Sequence, residues 1–125
     1  GLGAQVALPG FVNSLIGELQ AADVYVLSSD YEGVPAVIVE ALAAGLAVVA
    51  TDCSVSMRDM LDDGALGTLV PTRDRQRLAN AMQHARNGPD KTAERRAKAA
   101  QFTVERAAAA YIALFRSVSG DGKPL

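Results

Sequence analysis

Short apolar runs alternate with helically spaced segments along most of the chain. Val6-Ala7-Leu8, before Pro9-Gly10, predicts a strand, and Asn13 or Ser14 predicts the cap of a helix over Leu15 to Ala22 with Leu15, Ile16 and Leu19 inward. Val24-Tyr25-Val26-Leu27 is a continuous apolar run of the kind covered on both faces in a parallel sheet, which predicts a central strand. Pro35 suits a first helical turn. Val37, Ile38, Ala41, Leu42 and Ala44 then follow helical spacing until Gly45, a predicted left-handed cap. Ala47 to Thr51 predicts the next buried strand, and strand-helix-strand predicts a right-handed parallel crossover.

Downstream, Ser56 to Leu61 predicts a short helix, Gly64 to Gly67 a turn, and Thr68-Leu69-Val70 a last strand, four in all. Thr72 or Asp74 caps a helix over Arg75 to Arg86 with the stripe Leu78, Ala81, Met82 and Ala85, and Asn87-Gly88-Pro89 stops it. Lys91 to Gln101 is polar and Ala-rich. Thr103 then caps a final helix with a seam of Val104, Ala108, Tyr111, Phe115 and Val118. From Ser119 the tail lacks an apolar anchor and is expected to be disordered, so the reading is one partial domain over 1–118 and a tail over 119–125.

Composition narrows the function classes. The 125 residues allow one domain at most, and 50% hydrophobic content makes it globular. The 12 Lys and Arg are interspersed with 14 Asp and Glu, so nucleic acid is not an expected partner. Cys53 is the single cysteine, which rules out an intrachain disulfide and weakly suggests a reducing compartment; its expected role is a small packed residue rather than a nucleophile. No metal site is visible. The apolar run Ala41 to Ala50 is about half a membrane span. The expectation is a soluble, cytoplasmic protein, with peripheral membrane association of the parent left open. The start at Gly1, close to the run Val6-Ala7-Leu8, reads as a cut from a longer chain.

The candidate chemistry lies in Ser29-Asp30-Tyr31-Glu32-Gly33-Val34-Pro35-Ala36-Val37-Ile38-Val39-Glu40, where strand passes through a Gly/Pro turn into helix. A helix N-terminus presents unpaired N–H groups and a favourable dipole to phosphate oxygens. Glu40 sits roughly 7 Å along the axis. That span suits one acid gripping a sugar and the other a ribose, with a diphosphate between. Acids near a helix start also simply complement its dipole, an account that serves Glu32 but not the deeper Glu40. Ser29 either bonds a phosphate or turns the chain, the turn being preferred. His84 reads as solvated, and Arg73, Arg75 and Arg77 as a wet helix start, with phosphate binding a minor alternative.

With these residues in place, the chain resembles the C-terminal, nucleotide-sugar-binding domain of family 4 retaining glycosyltransferases of the two-domain GT-B fold. Ala22 to Ser29 is similar to the family's apolar strand ending in Ser, and Glu32-Gly33-Val34-Pro35 through Glu40-Ala41 to its two-glutamate signature. Gly45 to Asp52 resembles the following strand, Gly64 to Pro71 the Gly-containing strand, and Phe102 to Phe115 the terminal aromatic-bearing helix. Leu46, where the family usually has Pro, and Val55-Ser56-Met57, where Gly/Pro turns are common, depart from the pattern.

The resemblance implies an incomplete doubly wound, Rossmann-like parallel sheet of about four strands with helices on both faces. It implies Glu32 as the catalytic residue beside the donor sugar, and Glu32, the backbone of Gly33, Val34 and Pro35, and Glu40 as the donor-binding set. The donor is a nucleotide-diphosphate sugar, a substrate, with no metal or other cofactor expected. The family's cationic Arg and Lys and its acceptor domain have no counterpart here, so the chain alone is expected to be inactive. In the sheet order 3-2-1-4-5-6, Val6 to Leu8 is strand three and Val24 to Leu27 strand four. Strand three would then pair with strand four directly, or a second copy would fill the exposed edge. The alternatives are a non-catalytic domain for assembly or weak nucleotide binding, and another phosphate-binding doubly wound enzyme, although no GxGxxG is present.

Overall fold

Side chains alternate across a strand, so an uninterrupted apolar run needs cover on both faces. The computed structural model, which describes residues 1–118, supplies it as an α/β layer arrangement. Strands β1 (Val24–Leu27), β2 (Ala47–Thr51) and β3 (Gly67–Val70) form a parallel sheet in that order. Val24 stands opposite Ala47, and Val48 opposite Gly67. The helices are α1 (Ile16–Ala21), α2 (Ala36–Ala44), α3 (Val55–Met60), α4 (Arg75–Arg86), α5 (Thr92–Ala99) and α6 (Val104–Val118). On one face Tyr25, Leu27, Val48 and Ala50 meet Ile38 and Leu42 of α2, Met57 and Met60 of α3, and Leu61. On the other, Val24, Val26, Val49 and Val70 meet Leu78, Ala81 and Ala85 of α4.

The ends of α2 are sharply defined. Gly45 has φ 89°, and the Gly45 and Leu46 amides donate to the carbonyls of Leu42 and Ala41 at 2.9 and 3.0 Å, the paired bonds of a left-handed helix stop. A Cβ on Gly45 would also lie 2.7 Å from Thr92 Cγ2, because α5 packs against this corner. From α5, Arg96 donates to the Ala44 carbonyl at 3.2 Å, and buried Arg95 to those of Leu66 and Gly45 at 3.1 and 3.4 Å. Cations therefore sit where the α2 dipole is negative and its last carbonyls lack helical partners. At the other helix on the opposite face, the Asp74 carboxylate accepts from the Arg77 amide at 2.9 Å and caps α4.

Several expectations are corrected. Val6 to Leu8 is not a strand, so the described sheet has three strands rather than four; Leu8 and Phe11 are 91% and 92% exposed, with neither a ladder nor a packed face to hold the run extended. Strand β1 is accordingly an edge rather than central, and β2 is the middle strand. The pairing of Val6 to Leu8 with β1 does not occur. Of the inward set on α1 only Leu19 is buried, while Leu15 and Ile16 are exposed. Met82 of α4 is exposed as well. The α6 seam is present as a pattern, and Tyr111 and Phe115 stack at 6.1 Å, yet no residue of α6 is buried. The tail expectation for 119–125 lies outside the described residues. Among these residues no helix is long and apolar enough to cross a membrane.

Candidate functional site

Parallel strands gather the loops that follow them at their carboxyl ends, and here the segment 28–35 after β1 lies among loops from β2 and β3. Thr51, the last residue of β2, is buried and donates its hydroxyl to the Ser29 carbonyl at 2.5 Å, which ties the exit of β1 to the middle strand. From the loop after β3, Arg73 pairs with Asp30 at 3.0 Å. Arg73 adopts φ 63°, a left-handed backbone uncommon for a residue with a side chain. Arg73 is engaged by Asp30, Arg77 pairs with Asp74, and Arg75 and Arg77 are exposed, as a wet helix start requires.

The carboxylate of Glu32 is oriented by its own turn. Ser29 donates its hydroxyl to Glu32 Oε1 at 2.6 Å, a charge-assisted bond that leaves Oε2 available to another donor. Ser29 is thereby a partner of Glu32, a role that neither reading of it included. The Gly33 carbonyl accepts from the Ser56 hydroxyl of α3. Gly33 itself is exposed, its backbone is not left-handed, and no atom lies within 4 Å of a Cβ built there. Among the described residues, therefore, neither packing nor backbone conformation demands glycine at this position. Pro35 is buried and flanks α2 at φ −76°, and its carbonyl accepts from the Ile38 amide at 3.0 Å.

Glu40 is exposed in the middle of α2 and lines a cavity of about 590 Å³ with Val12 to Ile16, Leu19, Gln20, Ala43 and Ala44. Glu32 is not part of that lining. The charges of the two acids nevertheless both reach Tyr25. Its phenol pKa is raised above 10.0, first by burial, then by the charge of Glu40 and then by that of Glu32. Both charges therefore act on one ring, which itself packs with the core on the α2 face.

Because folding raises this pKa, the contribution of Tyr25 to stability is complete below about pH 10 and is lost as pH rises through the folded value. Replacing Glu40 by Gln is expected to lower the Tyr25 titration midpoint, and Glu32→Gln to lower it less. Ring-carbon NMR shifts followed against pH, which separate Tyr25 from Tyr31 and Tyr111, check the order.

Other candidate groups stand apart. His84 is exposed, with Nδ1 2.6 Å from the Asn80 carbonyl. It borders a second cavity of about 630 Å³ at the amino ends of β2 and β3, whose cations Lys91 and Arg95 are spent on the carbonyls of Ala65, Leu66 and Gly45. Cys53 is half-buried against the core, a packed residue.

The family model described as "Glycosyl transferases group 1" matches residues 1–87, which include β1 to β3, both glutamates and all of α4. The chain belongs to this glycosyltransferase family. It is 38% identical over 82 residues to the "Putative colanic acid biosynthesis glycosyltransferase WcaL" of Salmonella typhimurium, a match covering 59% of the chain and 20% of that protein. It is 28% identical over 71 residues to an "Uncharacterized glycosyltransferase" of Haemophilus influenzae, covering 57% and 20%. Each match thus covers about a fifth of the curated relative's length. Helices α5 and α6 of this family member lie beyond the segment that the family model matches.

Proposed function

We propose that the chain is the donor-binding part of a family 4 retaining glycosyltransferase with the GT-B arrangement, whose parent moves a sugar from a nucleotide-diphosphate sugar to an acceptor hydroxyl. The observation that carries this reading is the local arrangement in which Glu32, held by Ser29, directly precedes α2 and Glu40 lies exposed within it, with exposed main chain of Gly33 and Val34 between them. Glu32 takes sugar hydroxyls near the anomeric carbon, Glu40 takes ribose hydroxyls, and the backbone from Gly33 to Pro35 borders the diphosphate. Departing diphosphate charge is stabilised in part by the α2 dipole and the amides that precede Ile38 at its start. The rest falls to cationic groups and an acceptor domain elsewhere in the parent, so the isolated chain binds donor weakly and does not transfer. The site works without a metal, in a cytoplasmic protein.

A second reading is a non-catalytic module for assembly or weak nucleotide binding; the unpaired outer edge of β1 among the described residues favours it, since such an edge can accept a second copy. Calorimetric titration with UDP and GDP at millimolar ligand separates the two. The donor-site reading predicts binding that Glu40→Ala weakens about ten- to hundredfold, the value of hydrogen bonds to a charged group. No binding, or binding indifferent to Glu40→Ala, favours the assembly module.

A further inference from the structure

A hydroxyl at a helix N-cap ordinarily accepts a hydrogen bond from the second or third amide of its helix and so stabilises the helix start. Ser54 occupies that place ahead of α3 and makes no such bond. Its hydroxyl instead lies 2.8 Å from the Ser56 hydroxyl, and Ser56 donates to the carbonyl of Gly33, across 23 residues of sequence. A capping interaction has thus been given up for a two-hydroxyl bridge to the turn that holds Glu32. Ser56 also falls within Val55-Ser56-Met57, where the chain departs from the Gly/Pro turns common in the family it resembles.

The bridge has a geometric consequence. A trans peptide is planar, and its C=O and N–H point in opposite directions. No peptide bond among the described residues is cis, so holding the Gly33 carbonyl toward α3 turns the Val34 N–H away from α3, on an exposed stretch of main chain. Ser29 meanwhile fixes the Glu32 side chain two residues earlier. The turn is therefore held at its carboxylate from inside and at its peptide plane from α3.

We propose that Ser56 is a positioning residue: braced by Ser54, it fixes the Gly33–Val34 peptide so that the Val34 N–H is presented to the diphosphate of the donor. This inference rests on the donor-site reading above, and it assigns a role in diphosphate recognition to a helix outside the two-glutamate segment. Ser56 does not touch the ligand; it acts through the peptide.

The test uses Ser56→Ala, Ser56→Thr and Ser54→Ala with UDP, GDP, uridine and guanosine as probes. In Ser56→Ala the affinity for each diphosphate falls about two- to tenfold, the range of one neutral hydrogen bond. The affinity for each nucleoside is unchanged, so the diphosphate-to-nucleoside ratio falls by the same factor. Ser56→Thr, which keeps the hydroxyl, restores the ratio, and Ser54→Ala lowers it in the same direction by less. Solvent exchange of the Val34 amide, followed by NMR without ligand, is faster in Ser56→Ala. Equal weakening of nucleoside and diphosphate, an unchanged ratio, or unchanged Val34 exchange overturns the positioning role while leaving the donor site standing. Failure of the unaltered chain to bind UDP or GDP removes the donor-site reading, and this inference with it.

Discussion

Truncating Leu42 to alanine is expected to cost about 2–5 kcal/mol, the range for removing a buried leucine without collapse of the space it leaves. Leu42 is fully buried in the cluster that joins α2 to the sheet, and its neighbours there, Ile38 and Leu61, are fully buried too. Against a total stability of about 5–15 kcal/mol for a small domain, that loss is large. Urea unfolding measures it as a fall in midpoint at constant slope. The effect reaches the site because α2 carries Glu40 and follows directly on the Glu32 turn. A loss below about 1 kcal/mol would mean that α2 does not pack on β2 as described.

Removing the two acids separately is expected to split recognition of nucleotide from recognition of sugar. Glu32→Ala leaves affinity for UDP or GDP intact but removes any extra affinity that a nucleotide sugar has over its free nucleotide. In the full-length parent it lowers transfer on the order of a hundredfold, comparable with removing one preorganised electrostatic group from a reacting centre. Glu40→Ala weakens nucleotide and nucleotide sugar alike. The split rests on the roles proposed above: Glu32 precedes α2, held by Ser29 at 2.6 Å, whereas Glu40 lies within α2 beside the cavity formed with Val12 to Ile16 and Leu19. Parallel titrations of both variants check it, and equal loss of free nucleotide on Glu32→Ala would contradict the assignment.

The parts of the fold legible in the sequence are those governed by local chemistry. The stop of α2 at Gly45 needs only a residue tolerant of φ 89°, and the start of α4 needs only the Asp74 carboxylate. The run Val24 to Leu27 was informative about faces and silent about edges. Its residues do alternate between α2 and α4, as continuous apolarity requires, but apolarity carries no record of whether a neighbouring ladder exists. That is why β1 reads as central and stands at an edge. The run Val6 to Leu8 fails for the related reason that a short extended segment draws its stability from pairing and packing, and here it has neither.

Within the candidate site, the position of Glu32 and Glu40 follows from the strand, turn and helix signals around them. Their support does not. Ser29 is three residues from Glu32, a spacing that makes their bond readable in hindsight, whereas Thr51, Arg73 and Ser56 reach the same turn from 22, 43 and 23 residues away. Arg95 illustrates the same limit: its segment reads only as polar and Ala-rich, and its burial depends on the carbonyls of Gly45 and Leu66 brought to it by folding. Side-chain bonds to distant main chain have no periodicity to reveal them.

The most direct test of the central claim is a backbone-amide NMR titration of the chain with UDP and with GDP. The account predicts that the perturbed amides cluster from Ser29 through Glu40 and along Val12 to Leu19. Perturbations centred instead on Gly64 to Thr68 and Gln83 to Lys91, at the amino ends of the strands, would contradict it.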